Sequence, residues 1–223
     1  MTTKHPFALR PAPHVSPTTS VPLVMRRLLI ALAPATAVYV AFFGPGLLIN
    51  MTIAFVAAMV SEALVLRARK HPVGPVLADG SATVTAVLLA FALPPLAPWW
   101  IPAFGAIIAI VVAKHLYGGL GANLFNPAMV GYVVLLISFP TEMTQWLPPE
   151  DTGGTLGIGA HLAYVFAGQL PAGVTIDAIT QATALDQIKE GLGEMQTLAE
   201  IQIGDLYGKT GGRGWEWVNA VTA

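Results

Sequence analysis

Residues 28–61 read LLIALAPATAVYVAFFGPGLLINMTIAFVAAMVS, 34 positions without one charged side chain. As a single helix this stretch would be about 51 Å long at ~1.5 Å per residue, against a bilayer hydrocarbon core of ~30 Å. One helix is therefore too long. Gly44-Pro45-Gly46 falls near the middle, where flexible residues flanking a helix breaker allow a tight reversal. The stretch predicts a membrane hairpin, Leu28–Phe43 and Leu47–Leu66.

The pattern recurs downstream. A second charge-free run of 34 residues, Gly80–Ala113, is interrupted by Leu93-Pro94-Pro95-Leu96-Ala97-Pro98-Trp99-Trp100. It predicts helices at about Ser81–Leu93 and Ile101–Ala113, both short for a full span and suited to half-helices finished by irregular backbone in a protein-lined cavity. A third run predicts a helix opening at Asn126-Pro127 and continuing to Phe139. Five apolar runs with almost no polar faces between them exclude a set of amphipathic surface helices. They also favour a membrane anchor over a cleaved signal peptide built on Arg26-Arg27, Leu28–Val40 and Ala35-Thr36-Ala37.

Composition agrees: 55% of residues are hydrophobic and 10% charged, where a soluble domain carries about a quarter charged residues. The formal net charge of −1 gives no sign of a nucleic-acid partner. Without cysteine the chain holds no disulfide, thiolate zinc site or cysteine-ligated iron–sulfur cluster. Eight basic but only two acidic residues, Glu62 and Asp79, precede Phe139; three basic and ten acidic residues follow it. Lys4, Arg10, Arg26 and Arg27 precede the first run, Arg67, Arg69 and Lys70 follow the second, and Lys114 follows the fourth, so all mark one face. The positive-inside rule makes that face cytoplasmic. The other face carries Gly44-Pro45-Gly46, Trp99-Trp100 and the segment from Thr141, and is periplasmic in a bacterium.

After Pro140 the chain turns polar. An acidic, turn-rich stretch, Pro148–Gly154, leads to a modest apolar segment, His161–Leu170. Leu185, Ile188, Leu192, Met195 and Leu198 then recur at steps of three and four, one face of an amphipathic helix weakened by Gly191 and Gly193. Thr183-Ala184-Leu185-Asp186 is a capping box that marks its start, and Thr197-Leu198-Ala199-Glu200 is a second box. Trp215–Val221 begins another helix.

Several motifs bear on function. Gly118-Gly119-Leu120-Gly121 with Asn123 and Asn126-Pro127-Ala128 reads equally as a ligand or ion site on a broken helix and as a tight re-entry loop. Asn-Pro-Ala also occurs in water channels, which need two copies where this chain has one. Gly208-Lys209-Thr210 lacks the upstream glycine and strand of a phosphate loop. Asp79-Gly80-Ser81 reads as a helix start with an acidic cap. Glu62 reads as an interfacial carboxylate paired with Arg67 or Lys70. Histidines 5, 14, 71, 115 and 161 show no metal-ligand spacing and read as solvated or interfacial. Thr183 stands at a helix start, where free amides and the helix dipole favour a phosphate, although spacing alone reads only as an ordinary cap.

The run Asp79-Gly80-Ser81-Ala82-Thr83, the Leu93-Pro94-Pro95 turn with Pro98-Trp99-Trp100, and the stretch from Lys114-His115-Leu116-Tyr117-Gly118-Gly119 through Asn126-Pro127-Ala128 to Tyr132 carry a resemblance. Over essentially its whole length the chain resembles the NqrB/RnfD family: the RnfD component of the Rnf-type (Rsx) ion-translocating electron-transport complex and its relative NqrB in the sodium-pumping NADH:quinone reductase. The resemblance implies an all-α integral membrane protein: a cytoplasmic segment 1–27, about five transmembrane or half-membrane helices over 28–139, a periplasmic flavin-bearing segment 140–214, and the start of a further helix at 215–223.

In that family a D-x-x-[ST]-x-A-T segment carries FMN through a phosphoester to its last threonine, which corresponds to Thr183. Gln181 and Ala184 depart from the residues the family often has there, and neither removes the acceptor hydroxyl. A second, non-covalent flavin is also compatible with the resemblance. The implied role is electron relay by covalent FMN within an inner-membrane complex that moves Na⁺ or H⁺. Its implied partners are other membrane, flavin and iron–sulfur subunits, a flavin transferase for maturation and the lipid bilayer, with no nucleic acid. The chain is shorter than family members and reads as the amino-terminal half of a larger bundle, not expected to act alone. The alternative is a fragment of a urea-transporter-like channel or carrier without redox chemistry.

Overall fold

The computed structural model describes residues 20–147, 156–180, 184–201, 212 and 215–222. Its regular elements are helical: α1 (Val21–Phe43), α2 (Gly46–Ala68), α3 (Val73–Leu77), α4 (Ser81–Phe91), α5 (Trp100–Ile108) continuing as a π-helix (Ala109–His115), α6 (Pro127–Ser138), α7 (Pro140–Met143), α8 (Ile158–Ala167), α9 (Ile176–Ile179), α10 (Ala184–Gly193), α11 (Leu198–Ile201) and α12 (Trp215–Thr222).

The hairpin read from residues 28–61 is present, reversing at Gly44-Pro45. Its first helix begins seven residues earlier than expected, at Val21 with Pro22 in the first turn, so Arg26 and Arg27 extend from the helix itself. Long basic side chains can lie on a helix end with their heads in water, so charge need not stop the helix. Both arms are 23 residues, about 35 Å, long and apolar enough to cross a membrane. Little of either arm is buried: Ile30, Val56, Val60 and Leu64 are all more than half exposed. The helix of a soluble core hides such residues; these face lipid. α4 and α6, at 11 and 12 residues, reach only about 16–18 Å and are continued by irregular backbone.

The passes alternate in direction, which gives the bundle two distinct ends. At one end Gly80 abuts Met25 of α1, and Arg69 Nη1 donates to the His115 carbonyl. At the other, Asn50 Nδ2 donates to Pro94 O at 2.8 Å and Gly46 lies against Pro95. Residues 156–180 also gather at this second end: Trp99 N donates to Val165 O, and Leu96, Leu147 and Leu156 pack with Tyr164, Ile176 and Ile179. α12 closes on α1 there, Trp215 meeting Tyr39 edge-on and Phe43 at a tilt, at ring-centroid distances of 5.4 and 5.0 Å.

The core lies between α2, α4, α5 and α6 and is built from small residues. Along α2 the buried positions Gly46, Asn50, Ala54, Ala58, Glu62 and Leu66 fall every fourth residue, one ridge of the helix turned to α4 and α5. At the α5–α6 crossing a Cβ on Gly131 would lie 2.6 Å from Gly105 O, so only glycine permits that approach.

The polar segment departs from expectation at one point. The amphipathic face expected to run through Met195 and Leu198 stops with α10 at Gly193. Gln196 N reaches back to Gly191 O and Met195 N to Leu192 O, with Met195 left-handed at φ 63°, a Schellman stop. Met195 is 95% exposed, and Leu198 opens the separate α11. Of the second capping box the glutamate half forms: Thr197 N and Oγ1 both donate to Glu200 Oε2, at 2.8 and 2.7 Å, and hold that carboxyl below its ordinary range, while Glu200 N donates to the Thr197 carbonyl instead of its hydroxyl.

Candidate functional site

Glu62 occupies the inward ridge of α2, four residues after Ala58, and is fully buried. The expected interfacial carboxylate paired with Arg67 or Lys70 is therefore corrected: its partner is Lys114, whose Nζ donates to Glu62 Oε1. Its position on a stripe otherwise made of Gly, Asn, Ala and Leu fixes this direction, because every fourth residue of a helix shares a face. That stripe is the signal in the sequence that would have located it.

Lys114 and His115 come from the π-helix. Leu116 N bonds to Val111 O, five residues back, and the wider turn reduces the angle between successive side chains below the ~100° of an α-helix. Both neighbours can then address one carboxylate oxygen. His115 Nε2 lies 3.2 Å from the same Oε1 that Lys114 engages. The expectation of solvated or interfacial histidine is corrected for His115, which is 5% exposed, and for His161, which is 1% exposed; His71 is exposed as read. Histidines 5 and 14 lie outside the described residues.

The network continues toward the surface. Lys114 Nζ also donates to Ser81 Oγ at 2.6 Å, and Ser81 donates through its N and Oγ to Asp79 Oδ1. Asp79 thus caps the start of α4, as its sequence suggested, while Ser81 joins the cap to the buried pair. Asp79 is half-buried beside an open cleft of about 460 Å³ lined by Ser20, Leu23, Arg26 and Gly80. The arrangement is a row of polar groups, Asp79, Ser81, Lys114, Glu62 and His115, leading from that cleft into an apolar bundle. Glu62 Oε2 has no hydrogen-bond partner among the described residues. Buried charge in such surroundings is costly unless paired, and intramembrane ionisable groups mark functional positions.

The glycine motif forms a turn just beyond this cluster. Gly118, Gly119 and Gly121 all take positive φ, 111°, 104° and 88°, and Asn123 braces them by accepting from Gly121 N and donating to Phe125 O. Asn126 caps α6 by accepting from Ala128 N at 3.0 Å. The groove beside the turn, about 410 Å³, is lined by Val112, Tyr117, Phe125, Met129 and Val133 and is apolar.

Thr183 lies outside the described residues. α10 starts at Ala184, where the capping box put the start. Thr180, three residues earlier, donates to Ile176 O at 3.0 Å and is committed to α9.

Residues 8–223 match the model of the NQR2, RnfD, RnfE family. The chain is 45% identical to an ion-translocating oxidoreductase complex subunit of Aeromonas hydrophila subsp. hydrophila, over 96% of this chain and 63% of that protein. It is 44% identical to the protein of that name in Aeromonas salmonicida and 43% identical to the one in Citrobacter koseri, with the same coverage of both chains. It thus spans somewhat less than two thirds of the length of these curated relatives. With the short helices, the glycine turn and the Asn-Pro helix start in the places read from the sequence, and with a family match running from residue 8 to residue 223, the chain belongs to the NQR2, RnfD, RnfE family.

Proposed function

We propose that this chain serves as the RnfD component of an Rnf-type ion-translocating oxidoreductase complex of the bacterial inner membrane, carrying FMN as a phosphoester on Thr183. The observation that carries the reading is the family match that runs through residue 183, joined to 45% identity with a protein named as a component of such a complex. FMN when bound supplies reversible electron transfer. The chain's own part is to hold it: Thr183 offers the esterified oxygen, and the first-turn amides of α10, which have no intrahelical acceptor, suit the phosphate that follows. Residues 156–180 lie at the end of the bundle away from Arg69 and His115, which supports a flavin on the periplasmic side if the basic end is cytoplasmic. Other subunits, including flavin and iron–sulfur carriers, are its electron partners, and a flavin transferase is required for loading. The complex couples electron flow to Na⁺ or H⁺ movement.

The test is a denaturing gel viewed under ultraviolet light after co-expression with a flavin transferase. The wild-type chain and Thr180→Ala should give a fluorescent band, and Thr183→Ala should give none. A band that persists in Thr183→Ala overturns the site. No band in the wild type overturns the flavoprotein reading and favours a channel or carrier without redox chemistry.

A further inference from the structure

We propose that Asp79, Ser81, Lys114, Glu62 and His115 form a proton path from the cleft beside Arg26 to a proton-holding site inside the bundle. The proposal stands on the geometry of these side chains and is independent of the flavin, so either can fail alone.

Three features carry it. The hydrogen bonds are continuous and rise in burial from half-buried Asp79 to Ser81 at 4%, Lys114 at 1% and Glu62 at 0% exposure. Glu62 Oε1 is shared by two bases, Lys114 Nζ and His115 Nε2, so a proton can pass from one to the other through a single atom. With one proton held among the three groups the cluster is neutral whether that proton sits on Lys114, Glu62 or His115, and an apolar interior penalises neutral arrangements least. A pair built only for stability needs no third group on the same oxygen and no hydroxyl link to an open cleft.

The transfer balances as follows. The Lys114 Nζ–H bond breaks as Glu62 Oε1–H forms; that bond breaks in turn as His115 Nε2–H forms, leaving imidazolium beside carboxylate. The Lys114 amine takes the hydroxyl proton of Ser81, and Ser81 takes one from the Asp79 carboxylic acid, which was protonated by water in the cleft. One proton has moved from cleft to His115 and no electrons are exchanged; the cluster, neutral while it shares one proton, then holds two and carries a single positive charge, with both cations on the Glu62 carboxylate. Among the described residues the other charged or titratable groups at this end are Arg26 in the cleft, Arg27 beside it on α1, Arg69 on the His115 carbonyl, and exposed Arg67, Lys70 and His71; α3, α4, α5 and α6 contribute none.

The experiment uses the full chain in lipid nanodiscs, with a proton released by a laser flash from a caged acid and time-resolved infrared detection. Bands lost in Glu62→Gln identify the buried carboxyl, and bands lost in His115→Asn identify the imidazole. The wild type should show both groups responding. Ser81→Ala and Asp79→Asn should slow that response by at least about tenfold at unchanged final amplitude, in keeping with the rate effect of a positioned proton carrier. Ser81→Thr, which keeps the hydroxyl, should restore the rate. No response from Glu62 or His115, or a wild-type rate in either interrupted variant, overturns the path. Two interruptions at different points keep the test open if one variant fails to fold.

Discussion

Replacing Lys114 by methionine removes the ammonium from Glu62 while keeping most of the side chain's volume. The carboxylate left behind is fully buried, its Oε2 has no partner among the described residues, and its remaining charged-group contact is His115 Nε2 at 3.2 Å. Breaking a buried pair from one side costs about 3–5 kcal/mol, because an uncompensated charge remains. The change of shape from Lys to Met contributes less, under ~1.5 kcal/mol as for other volume-conserving exchanges. Removing both charges in Glu62→Gln/Lys114→Met takes away the desolvation penalty with the attraction, so the double variant should return to within about 1.5 kcal/mol of wild type. A pH signature accompanies this. In Lys114→Met a protonated His115 can replace the lost cation, so the loss should shrink between pH 8 and pH 5.5. Equilibrium unfolding in mixed detergent and dodecyl sulfate micelles, followed by helical circular dichroism at both pH values, measures all three quantities. A single variant within about 1 kcal/mol of wild type at pH 8, or a double variant as unstable as the two singles summed, would refute a buried ion pair at this position.

The remaining predictions concern packing, titration, a helix stop and topology. Gly131→Ala should push α6 from α5 and cost about 1–3 kcal/mol in the same unfolding assay, since the new Cβ meets the Gly105 carbonyl, whereas Gly74→Ala, with nothing within 4 Å, should cost nothing. Burial holds the His161 imidazole below its ordinary range, with Nδ1 donating to Leu156 O, so the neutral form stabilises the fold fully above about pH 6.5. As pH falls below that value the unfolded chain binds the proton first, and the docking of α8 should weaken by up to about 1.4 kcal/mol per pH unit, seen as lost hydrogen-exchange protection over residues 158–167; unchanged protection at pH 5.5 would contradict it. Met195→Gly should relieve a left-handed residue at the end of α10 and stabilise that helix by about 1–2 kcal/mol in the same exchange experiment. Alkaline phosphatase fused after Gly154 should be active and after His71 silent, and the reverse result would invert the orientation.

What the sequence discloses here depends on how far apart the interacting residues lie. The hairpin turn at Gly44-Pro45, the start of α6 at Asn126-Pro127 and the Thr197–Glu200 box are set by neighbours a few positions away, and each forms where its residues indicate. The stop of α10 is equally local, and Gly191 and Gly193 hinted at it. A hydrophobic count at steps of three and four nevertheless carries the helix past Gly193, because periodicity registers which residues could share a face and not whether the backbone continues.

The buried cluster is of another kind. Glu62 and Lys114 are 52 positions apart, and Ser81 and Lys114 33, so no spacing rule joins them. What could be read is direction: Gly46, Asn50, Ala54 and Ala58 fix the inward ridge of α2, and Glu62 is its next step. A carboxylate on that ridge requires a buried cation, and Lys114 is the basic residue that closes an otherwise charge-free run. The π-turn is the part no pattern of residue types announces. A regular α-helix sets successive side chains about 100° apart, and the π-turn narrows that angle where Lys114 and His115 converge on Glu62. By widening the turn over residues 109–115, the chain brings two bases of different basicity to one carboxylate oxygen, and that is the difference between a structural ion pair and a group of sites among which a proton can move.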